Sequence, residues 1–213
     1  MERKIVDEII DKLKSMYPDA RCELNHENPF QLLISTVLSA QTTDKKVNEV
    51  TRDLYKDYPD LKSFLKIEQT DLENRIKKIG LYKNKSKNII GLVRKLDSEF
   101  NGEVPRTMEE LISLPGVGTK TANVVMSNAF NIPAFAVDTH VFRVSNRIGL
   151  AKASTVEETE KELKQNVPKE EWILGHHLLI FHGRRCCFAR NPKCNECKIN
   201  ILCNYFRNVN DLS

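Results

Sequence analysis

The sequence of 213 residues has no apolar run that approaches the length of a transmembrane helix, so we expect no contact with a membrane. Its first residues lead into an amphipathic pattern and not into the apolar core of a secretory signal. Cysteines are few and unevenly placed: Cys22 stands alone, and the other five lie between Cys186 and Cys203. Secreted disulfide scaffolds spread their cysteines along the chain. We therefore expect a cytoplasmic protein.

Sustained alternation of apolar and polar residues is also missing, and with it the usual signal of β-strands. Apolar residues recur instead at helical spacing, for example at Val6, Ile9 and Leu13. No low-complexity tract or Pro/Gly-rich linker separates one part of the chain from another. The sequence therefore predicts an all-α protein whose lobes pack together, with a seam at residues 131–133.

The segment Leu114 to Ala122, LPGVGTKTA, predicts a tight hairpin between two helices. Gly116 and Gly118 can take backbone angles closed to other residues, and neither has a side chain that would keep a ligand off the main chain. A helix is predicted from Thr119 to Phe130, so its first amides and its positive dipole end adjoin the hairpin. This arrangement favours binding of a nucleic-acid phosphate, and the formal net charge of +4 permits a polyanionic partner.

Lys120 and Asp138 add chemistry to this binding signal. Lys120 places an amine beside the hairpin, and Asp138 precedes a second predicted helix, from Thr139 to Ile148. The simpler interpretations are that Lys120 is a solvated surface charge and that Asp138 only caps its helix. A phosphate site with a lysine and a carboxylate within reach favours an enzyme over a binding module.

Four cysteines fall within seventeen residues, with six, two and five residues between them: Cys187, Cys194, Cys197 and Cys203. Such a loop can hold a tetrahedral zinc ion or an iron–sulfur cluster. Zinc sites more often use two Cys-x-x-Cys pairs and this loop has one, which favours [4Fe–4S]. On spacing, Cys186 could replace Cys187 as a ligand. We expect the main role of the cluster to be structural, as a cross-link of this loop.

Together, LPGVGTKTANVV, AVDTHVFRVSNR, LSAQTTD and the cysteine run that follows His182 resemble the endonuclease III family of helix–hairpin–helix DNA glycosylases. The resemblance covers nearly the whole chain, with the motifs in the family's order. It implies a six-helix domain over residues 22–132 that carries the hairpin, and a second domain, 1–21 plus 133–213, that carries a [4Fe–4S] cluster. It also implies DNA binding across the cleft between these domains, and it selects Cys187 over Cys186.

The resemblance assigns roles to single residues. Lys120 would attack C1′ of the damaged nucleotide and form a Schiff base, with partial burial and the helix N-terminus disfavouring its ammonium form. Asp138 would assist deprotonation of the lysine and stabilise positive charge on the sugar. Gln41 would fill the gap left by the flipped nucleotide, and Leu81 would wedge the opposite strand. Gly116 and Gly118 would bind the DNA backbone.

Three lysines follow Leu81: Lys83, Lys85 and Lys87. The simpler interpretation is that they form a solvated run of charges. If Leu81 does wedge the opposite strand, they would instead contact DNA phosphates. One position departs from the family pattern. Thr119 stands where the family often has a basic residue, which removes a cation beside the phosphate site.

The implied activity is a DNA glycosylase with AP lyase activity that removes oxidised pyrimidines. The implied partner is duplex DNA with damaged bases or abasic sites, bound by a monomer that is nucleoid-associated in a bacterial or archaeal cell. Two other functions would use only part of these features. A monofunctional mismatch glycosylase of the same superfamily generally lacks the lysine, and a non-catalytic iron–sulfur DNA-binding protein would not need Lys120 with Asp138.

Overall fold

A computed structural model describes residues 1–210, with side chains through residue 208, and no β-strand occurs within that range. The predicted all-α class is therefore confirmed. No helix in the described part of the chain is long and apolar enough to span a bilayer. The helices are α1 (Arg3–Met16), α2 (Pro29–Leu38), α3 (Asp44–Asp57), α4 (Leu61–Phe64), α5 (Gln69–Ile76), α6 (Tyr82–Phe100), α7 (Met108–Ile112), α8 (Thr119–Phe130), α9 (Thr139–Ile148), α10 (Val156–Asn166), α11 (Trp172–Arg185) and α12 (Asn204–Asn210). Short 3-10 turns lie at Lys169–Glu171, Cys194–Glu196 and Asn200–Leu202.

The chain divides into two compact units. One is Glu23–Ile132, which holds α2 to α8, and the other joins Met1–Cys22 to the described part of Pro133–Ser213. The predicted second domain ends with residues 211–213, and these three lie outside the described residues.

Helix α2 is the most deeply buried element of the unit Glu23–Ile132. It begins where the Asn28 side chain accepts a hydrogen bond from the amide of Gln31, with Pro29 at its first position. Leu32, Leu33 and Ile34 are fully buried, and each contributes about 1.5–3 kcal/mol to the free energy of unfolding. Because α2 packs against α3, α6 and α8, its carboxyl end is held at a defined place in this unit.

Helix α8 confirms the predicted helix from Thr119 to Phe130. It packs against α2 and α7, and the turn between α7 and α8 buries Val117 at 8% exposure. Leu111 and Ala122 are fully buried on either side of that turn. The hairpin is therefore anchored by apolar contacts on both sides.

In the other unit, α9 confirms the predicted helix from Thr139 to Ile148 and packs against α11. Its core face is formed by Val141, Val144 and Ile148, which lie in one apolar cluster with residues of α1 and α11. Arg143 and Arg147 lie at positions that are only partly buried. Helix α9 thus has one side in the core and another available for the cysteine loop.

Candidate functional site

Gly116 has the backbone conformation that the hairpin motif predicted. Its φ is +78°, in the left-handed region, and an added Cβ would lie 2.9 Å from the Cβ of Asn88. The turn is closed by the amide of Val117, which donates to the carbonyl of Leu114 at 3.1 Å. Glycine is therefore required at this position by both the backbone angle and the available space.

Gly118 differs, and the conformational part of the prediction is wrong for it. Its φ is −104° and its ψ is 178°, an extended backbone that any residue adopts, and an added Cβ would meet nothing within 4 Å. Gly118 is the residue before α8, and no side chain caps the N-terminus of that helix. What glycine provides here is unobstructed access to the first amides of α8.

Lys120 is the second residue of α8, and its side chain is exposed. The expectation of partial burial is therefore wrong for the protein alone. Thr119 beside it is also exposed. Lys120 thus lies in the first turn of α8, beside the free amides of the helix N-terminus.

Gln41 and Leu81 share an unusual backbone conformation. Their φ angles are +56° and +59°, in the left-handed region, at a cost of about 1–2 kcal/mol for each non-glycine residue. Both side chains are exposed, that of Leu81 to 61%. Strained residues with exposed side chains persist where the surrounding structure holds them, and they are common at functional sites.

Lys85 is buried, so the interpretation of the three lysines as a solvated run is wrong for it. The residue is 5% exposed, whereas Lys83 and Lys87 are exposed. Its Nζ donates hydrogen bonds to the carbonyls of Leu38 (3.0 Å) and Ala40 (2.7 Å) and to the hydroxyl of Thr42 (3.0 Å).

Desolvation accompanies this burial and lowers the pKa of Lys85. A signal for its position was present in the sequence. Lys85 lies four residues before Ile89, so it continues the helical stripe that Ile89, Leu92 and Leu96 bury.

Asp138 caps α9, as predicted. Its Oδ1 accepts hydrogen bonds from the amides of His140 and Val141, each at 2.8 Å. Oδ2 accepts none from the described residues, and the side chain is only partly buried. One carboxylate oxygen therefore holds the helix while the other stays available for chemistry.

Arg143 is a residue that sequence reasoning missed. Its Nη2 lies 3.2 Å from His140 Nδ1 and donates to the carbonyls of Gly183 and Cys187, each at 3.1 Å. Burial lowers the pKa of His140, which the charge of Asp138 opposes and that of Arg143 reinforces. Arg143 thereby ties the first turn of α9 to the end of α11 and to the cysteine loop.

The four predicted cysteine ligands line one cavity, and Cys186 lines it as well. None of these five cysteines forms a disulfide bond. Burial raises the pKa of Cys194, Cys197 and Cys203, so an uncoordinated thiol here is stable in its protonated form. Convergent sulfur donors in a loop this short fit a metal cluster, which coordinates thiolates.

Cys186 and Cys187 have different surroundings. Cys187 Sγ accepts a hydrogen bond from Arg147 Nη1 at 3.5 Å. Cys186 Sγ instead donates to the carbonyl of Lys193 at 3.7 Å, which needs a protonated thiol. The buried Cys186 also shares a group with His182 and Cys197 in which the potential ligand atoms lie within 4.8 Å of one another.

The guanidinium of Arg147 also contacts backbone carbonyls of the cysteine loop. It donates to the carbonyls of Phe188 (2.6 Å) and Ala189 (3.0 Å), in addition to the Cys187 sulfur. A signal for both arginines was available, since Arg143 and Arg147 are four residues apart and so lie on one side of α9. That spacing does not predict their contact with Cys187, which lies about forty residues further along the chain.

Comparison with known proteins adds four findings. Residues 34–169 match the model of the HhH-GPD superfamily, base excision DNA repair proteins. Endonuclease III of Bacillus subtilis (strain 168) is 49% identical over 201 residues, which cover 94% of this chain and 92% of that protein. A trapped endonuclease III–DNA covalent intermediate with an estranged adenine is 47% identical, with a TM-score of 0.91 over 98% of this chain and 99% of that one. A non-covalent endonuclease III–DNA complex is also 47% identical, with a TM-score of 0.92 over 99% of each chain.

Proposed function

The chain belongs to the endonuclease III family of base excision DNA repair proteins, and we propose that it removes oxidised pyrimidines from duplex DNA and cleaves the strand at the abasic site. It is a DNA glycosylase with AP lyase activity. The observation that carries the lyase step is the position of Lys120, whose exposed amine lies in the first turn of α8, directly after the hairpin.

Lys120 is the proposed nucleophile. Its amine, once neutral, attacks C1′ of the damaged nucleotide, and the glycosidic bond breaks as the base departs with its electron pair and is protonated. The sugar opens to a Schiff base, and loss of a C2′ proton then expels the 3′ phosphate. A related endonuclease III has been captured as a covalent intermediate with DNA, which supports this role.

Asp138 is the proposed carboxylate partner in this chemistry. Its Oδ1 is engaged by two amides of α9, and its Oδ2 is the oxygen that would accept the proton from the lysine. As an anion it also stabilises the positive charge that develops on the sugar when the base departs, as carboxylates do in glycosidases.

Gln41 and Leu81 are the proposed contacts to the distorted duplex. Flipping a nucleotide costs a few kcal/mol of stacking and pairing, and an inserted side chain recovers part of it. Both residues are exposed and both are held in a left-handed conformation, which supports their assignment. Gly116, Gly118 and the first amides of α8 would receive a backbone phosphate.

Cys187, Cys194, Cys197 and Cys203 are the proposed ligands of a [4Fe–4S] cluster. Bound there, the cluster would supply iron–thiolate bonds that cross-link the loop. We assign it a structural role, since Arg143 and Arg147 already tie the same loop to α9. The domain over 22–132 would then present the hairpin, and the domain of 1–21 plus 133–213 would hold the cluster in a monomeric enzyme.

Borohydride trapping tests the proposal. Wild-type protein incubated with duplex DNA containing an oxidised pyrimidine is expected to form a covalent adduct, and Lys120→Ala is expected to form none. Lys66→Ala is a matched control, because Lys66 is an exposed lysine of the same unit. If the wild type releases the base without trapping, the enzyme is monofunctional. If it binds the DNA without releasing the base, it is a non-catalytic binding protein.

A further inference from the structure

We propose that Lys85 is a positioning residue that holds the loop of residues 39–42, and with it Gln41, in the conformation that enters the duplex. This inference rests on the proposed role of Gln41. Lys85 makes no direct contact with DNA in this proposal and acts through the loop.

The contacts of Lys85 surround Gln41 in the sequence. Its amine donates to the Ala40 carbonyl at 2.7 Å and to the Thr42 hydroxyl at 3.0 Å, so the residues on either side of Gln41 are bonded to one group. The third bond, to the Leu38 carbonyl at 3.0 Å, joins the same amine to the end of α2. Gln41 is thus the one residue of the segment 40–42 that Lys85 leaves without a bond.

The burial of Lys85 is the second observation. A lysine that is 5% exposed is unusual, and the three acceptors of its amine among the described residues are uncharged. The carbonyls at the end of α2 carry the negative end of the helix dipole, which stabilises a cation there. Charge-assisted hydrogen bonds to them are stronger than neutral ones, so the amine can hold a strained loop.

Lys85 is also bonded to the second predicted DNA contact. Its backbone amide donates to the carbonyl of Leu81 at 3.0 Å, in the first turn of α6. One residue therefore contacts both left-handed segments, that of Gln41 through its side chain and that of Leu81 through its backbone. Loss of the amine should disturb the Gln41 loop and leave the turn at Leu81 in place.

The test compares Lys85→Met with Lys66→Met, which removes the same charge from an exposed site. For Lys85→Met, single-turnover base release from duplex DNA is expected to fall about tenfold or more, because a misplaced gap-filling residue cannot stabilise the flipped state. Trapping on single-stranded abasic DNA needs no gap filling and is expected to stay within about twofold of wild type. Lys66→Met is expected to match wild type on both substrates.

A double-mutant cycle separates positioning from general stability. If Lys85 acts through Gln41, Lys85→Met adds little to the loss already caused by Gln41→Ala. Full additivity of the two losses, or an equal fall on duplex and single-stranded substrates, would overturn the proposal. A wild type that fails to trap on either substrate would instead contradict the proposed lyase activity.

Thr42→Val keeps the inference testable if Lys85→Met does not fold. It removes one acceptor of the amine from a partly exposed position and leaves Lys85 itself intact. We expect a loss of about two- to fivefold on duplex DNA and none on single-stranded abasic DNA. The fluorescence of 2-aminopurine beside the lesion should show less unstacking, and an unchanged signal with unchanged base release would count against Lys85.

Discussion

The Cβ of Asn88, in α6, lies so close to Gly116 that a Cβ added to the glycine would be only 2.9 Å away. Asn88 thereby connects α6 to the hairpin before α8. Gly116 is also held at a φ of +78°. The geometry of the hairpin consequently depends on one glycine and on the helix packed against it.

Gly116→Ala is expected to lower the free energy of unfolding by about 2–5 kcal/mol. The positive φ contributes about 1–2 kcal/mol and the contact with Asn88 about 1–3 kcal/mol. Urea denaturation measures the loss. A change below about 0.5 kcal/mol, the range of ordinary surface substitutions, would show that the hairpin adapts.

Gly118→Ala is the matched control for the same hairpin. An added Cβ meets no neighbouring atom and the backbone is extended, so the stability change should stay within about 1 kcal/mol. If a phosphate approaches the first amides of α8, the methyl group will weaken binding to abasic DNA. Unchanged affinity in a titration would exclude Gly118 from the interface.

Asp138→Asn separates capping from catalysis. Asparagine caps helices about as well as aspartate, so the unfolding free energy should change by less than about 1 kcal/mol. Loss of the charge should slow base release about 100-fold or more, which single-turnover kinetics measures. Asp138→Ala should be equally slow and less stable by about 1–2 kcal/mol. An active Asp138→Asn enzyme would reduce the residue to a helix cap.

Cys187→Ser should remove the metal cluster, whereas Cys186→Ser should keep it. The reason is that Cys187 Sγ accepts from a guanidinium, while Cys186 Sγ donates to a carbonyl. Protein purified without oxygen should contain iron and acid-labile sulfide, about four of each per chain. Stoichiometric zinc without iron would overturn the cluster type. If Cys186→Ser lost the cluster and Cys187→Ser kept it, Cys186 would be the ligand instead of Cys187.

Acid should destabilise the protein in part through His177. Burial lowers its pKa from 6.5 to about 3, with His176 adding to the effect. His177 therefore binds a proton near pH 6.5 in the unfolded chain but only near pH 3 in the folded chain. Its contribution to the free energy of unfolding is fully present above pH 6.5 and decreases as the pH falls below that value.

Between pH 7.5 and pH 5 this single group should remove about 2 kcal/mol from the free energy of unfolding. His177→Gln should reduce the dependence on pH by that amount, as measured by urea denaturation at both values. Equal slopes for the variant and the wild type would show that His177 titrates normally.

The starts of α8 and α9 were predictable from the sequence because local signals set them: a glycine turn directly precedes α8, and at α9 side-chain capping acts within three residues. Asp138 precedes the very amides it caps, and Gly118 precedes a helix that begins at Thr119. The convergence of the four cysteines was predictable for a similar reason, since a loop of seventeen residues keeps its sulfurs near one another.

Contacts between distant segments could not be predicted this way. Lys85 continues the buried stripe of α6, but its hydrogen-bond acceptors lie more than forty residues away, and the helical spacing could not identify them. Gly116 and Gly118 are alike in the motif, yet Asn88 restricts only the first. Local propensity and spacing act over a few residues, whereas desolvation and steric exclusion depend on which segments the fold brings together. That difference placed an exposed amine at Lys120 and a buried one at Lys85.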